Sequence, residues 1–140
     1  MNNLIIPSEF LPIGHPKIYM YELIDPITGE VCYIGQTSNP EKRIVQHCSR
    51  PGDIKGNVFM CLWILSLDKA GLKPIMKIID TALVYMGEAN KKEKELIHKY
   101  WNEGHPLLNG GLRKKNIKLW RNRLNNSQWN ILRKEVEYFF

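Results

Sequence analysis

The sequence has little cysteine, and the cysteines it has form no recognisable pattern. Cys32, Cys48 and Cys61 are odd in number and widely spaced, so they match neither a disulfide framework nor a CxxC metal or redox motif. The sequence also lacks an apolar run long enough to span a membrane, and it lacks an apolar stretch of secretory length near residue 1. These absences favour a reducing, cytoplasmic compartment and argue against a membrane partner.

One segment of the chain lacks acidic residues altogether. Residues 112–123 hold six basic side chains and no acid, and the rest of the chain has fourteen basic and fourteen acidic residues. The net charge of +6 therefore comes from this segment. Lys114, Lys118 and Arg121 are spaced i, i+4, i+7, so a helix would present all three on one face. Such a block favours a polyanion, such as DNA, as the partner, although most charged helix faces are only solvated.

What the sequence does contain is the pattern of a small α+β domain, in which a sheet packs against helices. Runs rich in β-branched and aromatic residues predict three strands, at 18–24, 31–35 and 75–81. The first two strands are joined by turn residues at 25–29, which predicts a hairpin. Residues 107–109 are predicted to form a short closing strand.

Helical patterns occupy most of the remaining chain. Apolar and charged spacings predict five helices, at about 40–48, 58–67, 89–103, 117–124 and 129–139. Two signals compete for the start of the first helix. Ser38 and Glu41 have capping-box spacing, whereas Asn39 is followed by Pro40 at the first helical position.

The first predicted helix carries two side chains suited to binding an anion. Arg43 and His47 are four residues apart, which places them on one helix face. The planar guanidinium of arginine donates two parallel hydrogen bonds to a phosphate, and histidine donates to the same phosphate or moves a proton. Each residue taken alone is more often a solvated or packed side chain than a functional one. The pair is therefore a candidate phosphate site.

Three tyrosines precede this helix in the predicted hairpin. Tyr19 and Tyr21 share one face of the first strand because strand side chains alternate, and Tyr33 lies in the second strand. Tyrosine is a common strand residue that usually only packs. A phenol beside an arginine is different, because the cation favours the phenolate and makes the oxygen a better base. Gly35 permits a close approach that a side chain would block.

A carboxylate suited to binding a divalent ion lies on the helix predicted at 89–103. Glu93 is spaced i, i+4, i+7 with Ile97 and Tyr100, so it lies at the end of the stripe that faces the core. Glu95 points elsewhere. A glutamate on an inner stripe is unexpected unless it faces a cleft, where it could hold the ion that phosphodiester cleavage needs.

Taken in order, these residues resemble the GIY-YIG nuclease family. The second signature of the family is present literally as Tyr33-Ile34-Gly35. The family arginine and histidine follow at the expected offsets as Arg43 and His47.

The later part of the chain continues the resemblance. The metal-binding glutamate of the family matches Glu93, and its late asparagine matches Asn109. The resemblance covers residues 17–111. It divides the chain into an N-terminal arm at 1–16, a nuclease domain at 17–111 and a basic helical extension at 112–140.

The first signature departs from the family pattern. The chain reads Lys17-Ile18-Tyr19-Met20-Tyr21 and contains no GIY. Counting back from the turn favours Tyr21 as the family tyrosine, whereas matching KIY to GIY favours Tyr19. We choose Tyr21 and retain Tyr19 as the alternative.

The resemblance implies a fold with a small, three-stranded, mostly antiparallel sheet flanked by helices. It implies a DNA endonuclease of a phage, mobile element or restriction system, which places it in the cytoplasm of a bacterium or a phage-infected host cell. One Mg²⁺ or Mn²⁺ ion is expected on Glu93, and a Tyr21 phenolate takes a proton from water. Arg43 and His47 hold the scissile phosphate, while Tyr33 orients the nucleophile and Asn109 supports the site. The alternatives are a catalytically inactive nucleic-acid-binding module and an adaptor domain.

Overall fold

The protein folds around one sheet that is covered by helices. The computed structural model describes residues 3–49, 58–109, 120–122, 125–127 and 129–130. The strands of the sheet are β1 (Leu4–Ile5), β2 (Lys17–Ile24), β3 (Val31–Thr37) and β4 (Ile75–Leu83). The longer helices are α1 (Pro40–Ser49), α2 (Val58–Lys69) and α3 (Ala89–Asn102). Among the described residues, no helix is long and apolar enough to cross a membrane.

The α+β class is confirmed, but the described part of the sheet has four strands where the sequence predicts three. The strand order is β1-β4-β2-β3, with β2 antiparallel to both neighbours and β1 parallel to β4. The additional strand lies in the segment expected to be an arm. It pairs Leu4 with Met76, and the Asn3 carbonyl accepts a hydrogen bond of 2.8 Å from the Met76 amide. A strand of two residues is too short to show alternation in the sequence. Its partner is also about seventy residues away, so no local signal indicates the pairing.

The predicted closing strand at 107–109 is wrong. A backbone hydrogen bond joins this segment to β3, from the Leu108 amide to the Cys32 carbonyl at 2.7 Å. The side chain of Asn109 then takes the place of a further backbone pair. Its Oδ1 accepts from the Ile34 amide at 2.9 Å, and its Nδ2 donates to the Ile34 carbonyl at 2.7 Å. The edge of β3 is thereby satisfied by an amide side chain instead of a strand.

Helix α1 begins at Pro40, and Asn39 caps it. The Asn39 Oδ1 accepts a hydrogen bond of 3.1 Å from the Lys42 amide, while Ser38 is exposed. The side chain of Asn39 therefore satisfies an amide that the first turn leaves without a helical partner. Of the two competing start signals, the structure adopts the Asn39–Pro40 signal.

The two faces of the sheet pack on different helices. On one face, a cluster joins the β2 residues Tyr19, Tyr21 and Leu23 to side chains of α1 and α2. On the other face, Ile34 of β3 packs with Ile97 of α3. Alternation along the strands divides the side chains between these two layers. The sheet therefore lies between α1 and α2 on one side and α3 on the other.

Part of the C-terminal extension packs onto the α2 layer. Trp120 is only 2% exposed, and its ring meets that of Trp63 on α2 edge to face, with centroids 6.2 Å apart. Trp129 is half-buried against the same cluster. The remaining residues of the stripes predicted at 117–124 and 129–139 lie outside the described residues. The boundary at residues 111 and 112 stays a prediction.

Candidate active site

A buried hydrogen bond between Tyr21 and His47 forms the centre of the candidate site. The Tyr21 hydroxyl lies 2.9 Å from His47 Nε2, and both side chains are fully buried. Strand β2 supplies the phenol and the end of α1 supplies the imidazole. The ring of Tyr33 on β3 lies 6.2 Å from that of Tyr21 and 6.1 Å from that of His47. The three rings thus form one cluster between the sheet and α1.

Gly35 leaves room for the rings of Tyr21 and Tyr33 because it has no side chain. It lies opposite Tyr21 in the β2–β3 register. A Cβ at Gly35 would lie 2.5 Å from Cζ and the hydroxyl oxygen of Tyr21, and 2.9 Å from Cε2 of Tyr33. Ordinary carbon–carbon contacts are about 3.5–4.0 Å. The signature glycine is therefore required because the Tyr21 ring lies against its backbone.

Arg43 connects the buried cluster to an open cavity. It lies one helical turn before His47, and the charge of its guanidinium lowers the pKa of Tyr21. It also lines a cavity of about 160 Å³ at the start of α1. The polar residues that line this cavity are Thr37, Ser38, Asn39, Lys42, Arg43 and Gln46. A phosphate in the cavity would meet two cations, Lys42 and Arg43.

Burial controls the protonation of the cluster. Desolvation raises the pKa of Tyr21, and a phenolate at Tyr33 would raise it further, while the Arg43 guanidinium opposes both effects. Desolvation and then the charge of Glu93 raise the pKa of Tyr33. Desolvation and then Arg43 lower the pKa of His47 from its usual 6.5 to about 4. At neutral pH and without substrate, both phenols are protonated and His47 is neutral.

One ring nitrogen of His47 has no hydrogen-bond partner among the described residues. Its Nδ1 is buried and makes no hydrogen bond with the described part of the chain. When the Tyr21 hydroxyl donates to Nε2, this Nδ1 carries the ring proton. His47 is thereby held as a buried acceptor directed at the phenol.

Glu93 approaches the phenols from α3. Its carboxylate is half-buried, and its charge raises the pKa of both Tyr21 and Tyr33. Glu95, two residues further on, is exposed. Of the two carboxylates weighed from the sequence, Glu93 is the one whose charge acts on the tyrosines.

The start of α3 is tied to the ends of two strands. Gln36 on β3 donates to Asn90 Oδ1 at 2.8 Å. Lys92 donates to the Thr81 carbonyl at 2.7 Å, and its Nζ lies 3.6 Å from Asp80 Oδ1. These contacts, one turn or less from Glu93, hold its part of the helix against the sheet.

The metal ligands near the tyrosines suit a divalent ion that keeps most of its water better than an ion coordinated by protein side chains alone. Within the described residues, no group of three or more His, Cys, Asp or Glu side chains could hold a metal. Glu93 supplies one carboxylate. Mg²⁺ commonly binds to one or two carboxylates and takes its other ligands from water and substrate phosphates. Such an ion is compatible with Glu93, whereas a zinc-type site would need ligands that these residues do not provide.

The structure separates Tyr19 from this cluster. The Tyr19 hydroxyl accepts a hydrogen bond of 2.9 Å from the Gly14 amide and lies 3.3 Å from the Gly14 carbonyl. It therefore holds the N-terminal segment against β2. Of the two tyrosines left open by the sequence, Tyr21 is the one that meets Arg43 and His47. Asn109, through its bonds to Ile34, supports β3 beside Gly35.

The predicted basic face is described at one of its three positions. Arg121 is exposed, and its guanidinium carbon lies 4.9 Å from the centre of the Trp129 ring. Lys114 and Lys118 lie outside the described residues.

Sequence reasoning missed Lys42 and Gln46, which line the cavity with Arg43. The signal was available, because Gln46 is four residues after Lys42 and three after Arg43 on the same helix. It was weak, because polar residues at this spacing usually face solvent.

The fold and the site together define a class: a small α+β domain that brings a phenol, a guanidinium, an imidazole and a carboxylate together beside a polar cavity. The sequence profile of the GIY-YIG catalytic domain matches residues 17–105. The chain therefore belongs to the GIY-YIG nuclease family, which confirms the resemblance seen in the sequence. Membership places the protein among nucleases, a class of hydrolase that acts on nucleic acid. No curated protein and no solved structure gave a significant match to the chain.

Proposed function

We propose that the protein is a metal-dependent DNA endonuclease that hydrolyses phosphodiester bonds. The observation that carries the proposal is the buried Tyr21 hydroxyl, 2.9 Å from His47 Nε2 and within electrostatic reach of the Arg43 guanidinium, in a member of a nuclease family. These groups can bind a phosphate and move a proton beside it. Glu93 completes the set as the ligand of Mg²⁺ or Mn²⁺.

Tyr21 is the proposed general base. Its phenol must lose a proton before it can accept one from water, and neutral His47 is positioned to receive that proton through Nε2. The Arg43 guanidinium stabilises the phenolate by its charge. Tyr33 orients the water. The oxygen of the water then bonds to phosphorus as the bond to the leaving oxygen breaks.

Arg43 is the proposed phosphate clamp, whereas His47, which the resemblance assigns to the same clamp, is buried with its Nε2 at the Tyr21 hydroxyl and acts on the phenol in this proposal. Arg43 lines the polar cavity and its charge also acts on Tyr21, so this side chain links a bound phosphate to the base. Lys42, on the same cavity wall, adds a second positive charge. A divalent ion on Glu93, when bound, supplies charge that stabilises the negative phosphate oxygens and the leaving oxygen.

A plasmid-nicking assay with two matched pairs of variants tests this assignment. Wild type should cut with Mg²⁺ and not with EDTA. Tyr21→Phe should lower the cleavage rate far more than Tyr19→Phe, because the Tyr19 hydroxyl only holds Gly14. A severely impaired Tyr19→Phe variant with an active Tyr21→Phe variant would show that the roles are reversed.

The second pair tests the metal ligand. Glu93→Gln should abolish cutting and leave DNA affinity nearly unchanged, whereas the exposed Glu95→Gln should cut normally. Cleavage by wild type in EDTA would contradict metal dependence. Loss of cutting in Glu95→Gln instead of Glu93→Gln would contradict the choice of carboxylate.

The second candidate function is a nucleic-acid-binding module that does not cut. The complete burial of Tyr21 and His47 favours it, because a nucleophilic water needs access to the base. Salt-sensitive DNA binding by wild type, without nicking in Mg²⁺ or Mn²⁺, would support this alternative over the endonuclease.

The basic extension is a proposed binding surface for the DNA backbone. Replacement of Lys114, Lys118 and Arg121 by glutamine should weaken binding to every DNA sequence alike. It should lower the salt slope by roughly 0.9 for each phosphate that the protein no longer neutralises. Unaltered affinity and slope would place the DNA surface elsewhere.

A further inference from the structure

The turn between β4 and α3 exposes three consecutive large apolar or aromatic side chains. Val84, Tyr85 and Met86 are 47%, 72% and 54% exposed, and we call them the apolar tip. The other exposed large apolar residues of the described chain have no such neighbour in sequence: Ile5, Leu11, Ile27, Val45, Leu65 and Leu72. Single exposed apolar residues need no explanation, whereas a contiguous group is typical of an interaction surface.

The apolar tip is held in place by the fold. The Val84 amide donates to the Pro16 carbonyl at 2.8 Å, just after Leu83 pairs with Lys17 in the sheet. Residues 84–86 form one 3-10 turn, and Gly87, with φ 68°, leads into α3. The side chains are therefore presented to solvent by an ordered turn between two anchored elements.

The tip lies at the end of the sheet near the candidate site. Lys17, beside the end of β4, is four residues before Tyr21 on β2, which corresponds to about 13 Å along the strand. Helix α3, which carries Glu93, begins three residues after Met86. Phosphates along one strand of B-DNA are spaced about 3.4 Å apart along the axis, so a DNA strand running along β2 would cover this distance in roughly four nucleotides.

The charges around the tip favour a polyanion as its partner. Lys17 is half-buried beside it, and Lys91 and Lys94 are exposed on the first turns of α3. Glu88 is the acidic residue next to the tip in sequence. Cations close in sequence and register to an exposed aromatic ring match a nucleic acid strand, whose phosphates take the cations and whose bases stack on the ring.

We propose that the apolar tip binds a base of the DNA near the scissile phosphate, with Tyr85 stacked on the base and Lys91 and Lys94 facing the backbone. The inference rests on the proposed DNA substrate, and it assigns to this domain a base-binding surface away from the catalytic groups. Because every base has a π-face, such stacking tolerates many sequences.

Binding of a random-sequence DNA duplex with a short single-stranded gap, measured in EDTA, tests the proposal. Tyr85→Ala should bind roughly fivefold to hundredfold more weakly than wild type. The salt slope should stay unchanged, because the cations that face the phosphates are all retained. Tyr85→Phe should bind like wild type, since it keeps the ring.

The control variant is Ile27→Ala. Ile27 is 68% exposed in the β2–β3 turn, at the opposite end of the sheet, so its removal should not alter binding. Both variants remove an exposed side chain, and their unfolding temperatures should stay close to that of wild type.

Affinity retained by Tyr85→Ala while wild type binds DNA would overturn the stacking proposal and leave the proposed function intact. Equal decreases in affinity for Tyr85→Ala and Ile27→Ala would also overturn it, and so would reduced self-association in Tyr85→Ala with DNA affinity unchanged. A wild type that binds no DNA even at low salt would overturn the proposed function itself, together with this inference.

Discussion

Replacement of Gly35 by alanine adds one methyl group at the most crowded point of the candidate site. The new Cβ would lie 2.5 Å from two atoms of the Tyr21 phenol and 2.9 Å from the Tyr33 ring. Contacts of this kind need about 3.5–4.0 Å, so the Tyr21 ring must move by about 1 Å. The ring is fully buried, which leaves it no open space to enter.

The displacement should affect stability and activity to different extents. Forcing an extra methyl group into a packed site costs roughly 1–3 kcal/mol in the free energy of unfolding. Movement of the phenol also disturbs its 2.9 Å hydrogen bond to His47 and its position relative to the charge of Arg43. Because a misplacement of about 1 Å can cost roughly a hundredfold in rate, we expect cleavage by Gly35→Ala to fall by at least that factor.

Gly29→Ala provides a control that loses stability without touching the site. Gly29 lies in the β2–β3 turn with φ 75°, and a Cβ there has nothing within 4 Å. Alanine in this left-handed conformation costs about 1–2 kcal/mol, comparable with the destabilisation expected at Gly35. Urea unfolding and single-turnover nicking with Mg²⁺ should therefore show two destabilised variants, of which only Gly35→Ala fails to cut. Near wild-type cutting by folded Gly35→Ala, or an equally slow Gly29→Ala, would refute this reasoning.

Other buried contacts make predictions for stability and exchange. Folding lowers the pKa of His47 from 6.5 to about 4, so the unfolded chain binds a proton at this residue more readily than the folded chain does. The contribution of neutral His47 to stability is therefore complete above pH 6.5 and is lost as the pH falls toward 4. At about 1.4 kcal/mol per pKa unit, the free energy of unfolding should fall by about 3 kcal/mol over this range. Urea unfolding at a series of pH values should show a smaller fall for His47→Gln than for wild type, and an equal fall in both proteins would contradict this prediction. Trp120→Ala should lower the free energy of unfolding by about 3–5 kcal/mol because it empties a buried site against Trp63, and a change near zero would mean that the extension does not support the core. Asn109→Leu should speed hydrogen exchange at the Ile34 amide, whose acceptor it removes, and unchanged protection would show that this bond is not maintained in solution.

Local chemistry explains why the sequence predicts the hairpin and the helices α1, α2 and α3 well. The β2–β3 pair follows from alternating β-formers on both sides of the turn at 25–29, and Asp25 stabilises that turn by accepting from the Ile27 amide at 2.8 Å. The shared helix face of Arg43 and His47 follows from their spacing alone. All of these signals lie within a few residues of the atoms that they position.

The errors occur where the partner is distant in sequence. Strand β1 forms because Leu4 and Ile5 pair with the edge of β4. Two residues are too few to form a sequence pattern that predicts this pairing. The segment at 107–109 contains strand-like residues, yet the Asn109 amide replaces the second backbone pair with β3. Neither result can be obtained from local propensity, because each depends on which backbone edge is left unpaired after the chain has folded.

The sequence by itself determined the family, the α+β class and the residue types of the candidate site, because signature residues, strand alternation and helix spacing are local properties. Only the tertiary structure decided between Tyr19 and Tyr21. Both lie on the same face of β2, and the sequence offers two counts that disagree. The fold directs the Tyr19 hydroxyl to Gly14 and the Tyr21 hydroxyl to His47, twenty-six residues further on in the chain. That choice depends on where α1 crosses the sheet, and packing of the helix on a buried face sets this crossing, which no local pattern encodes.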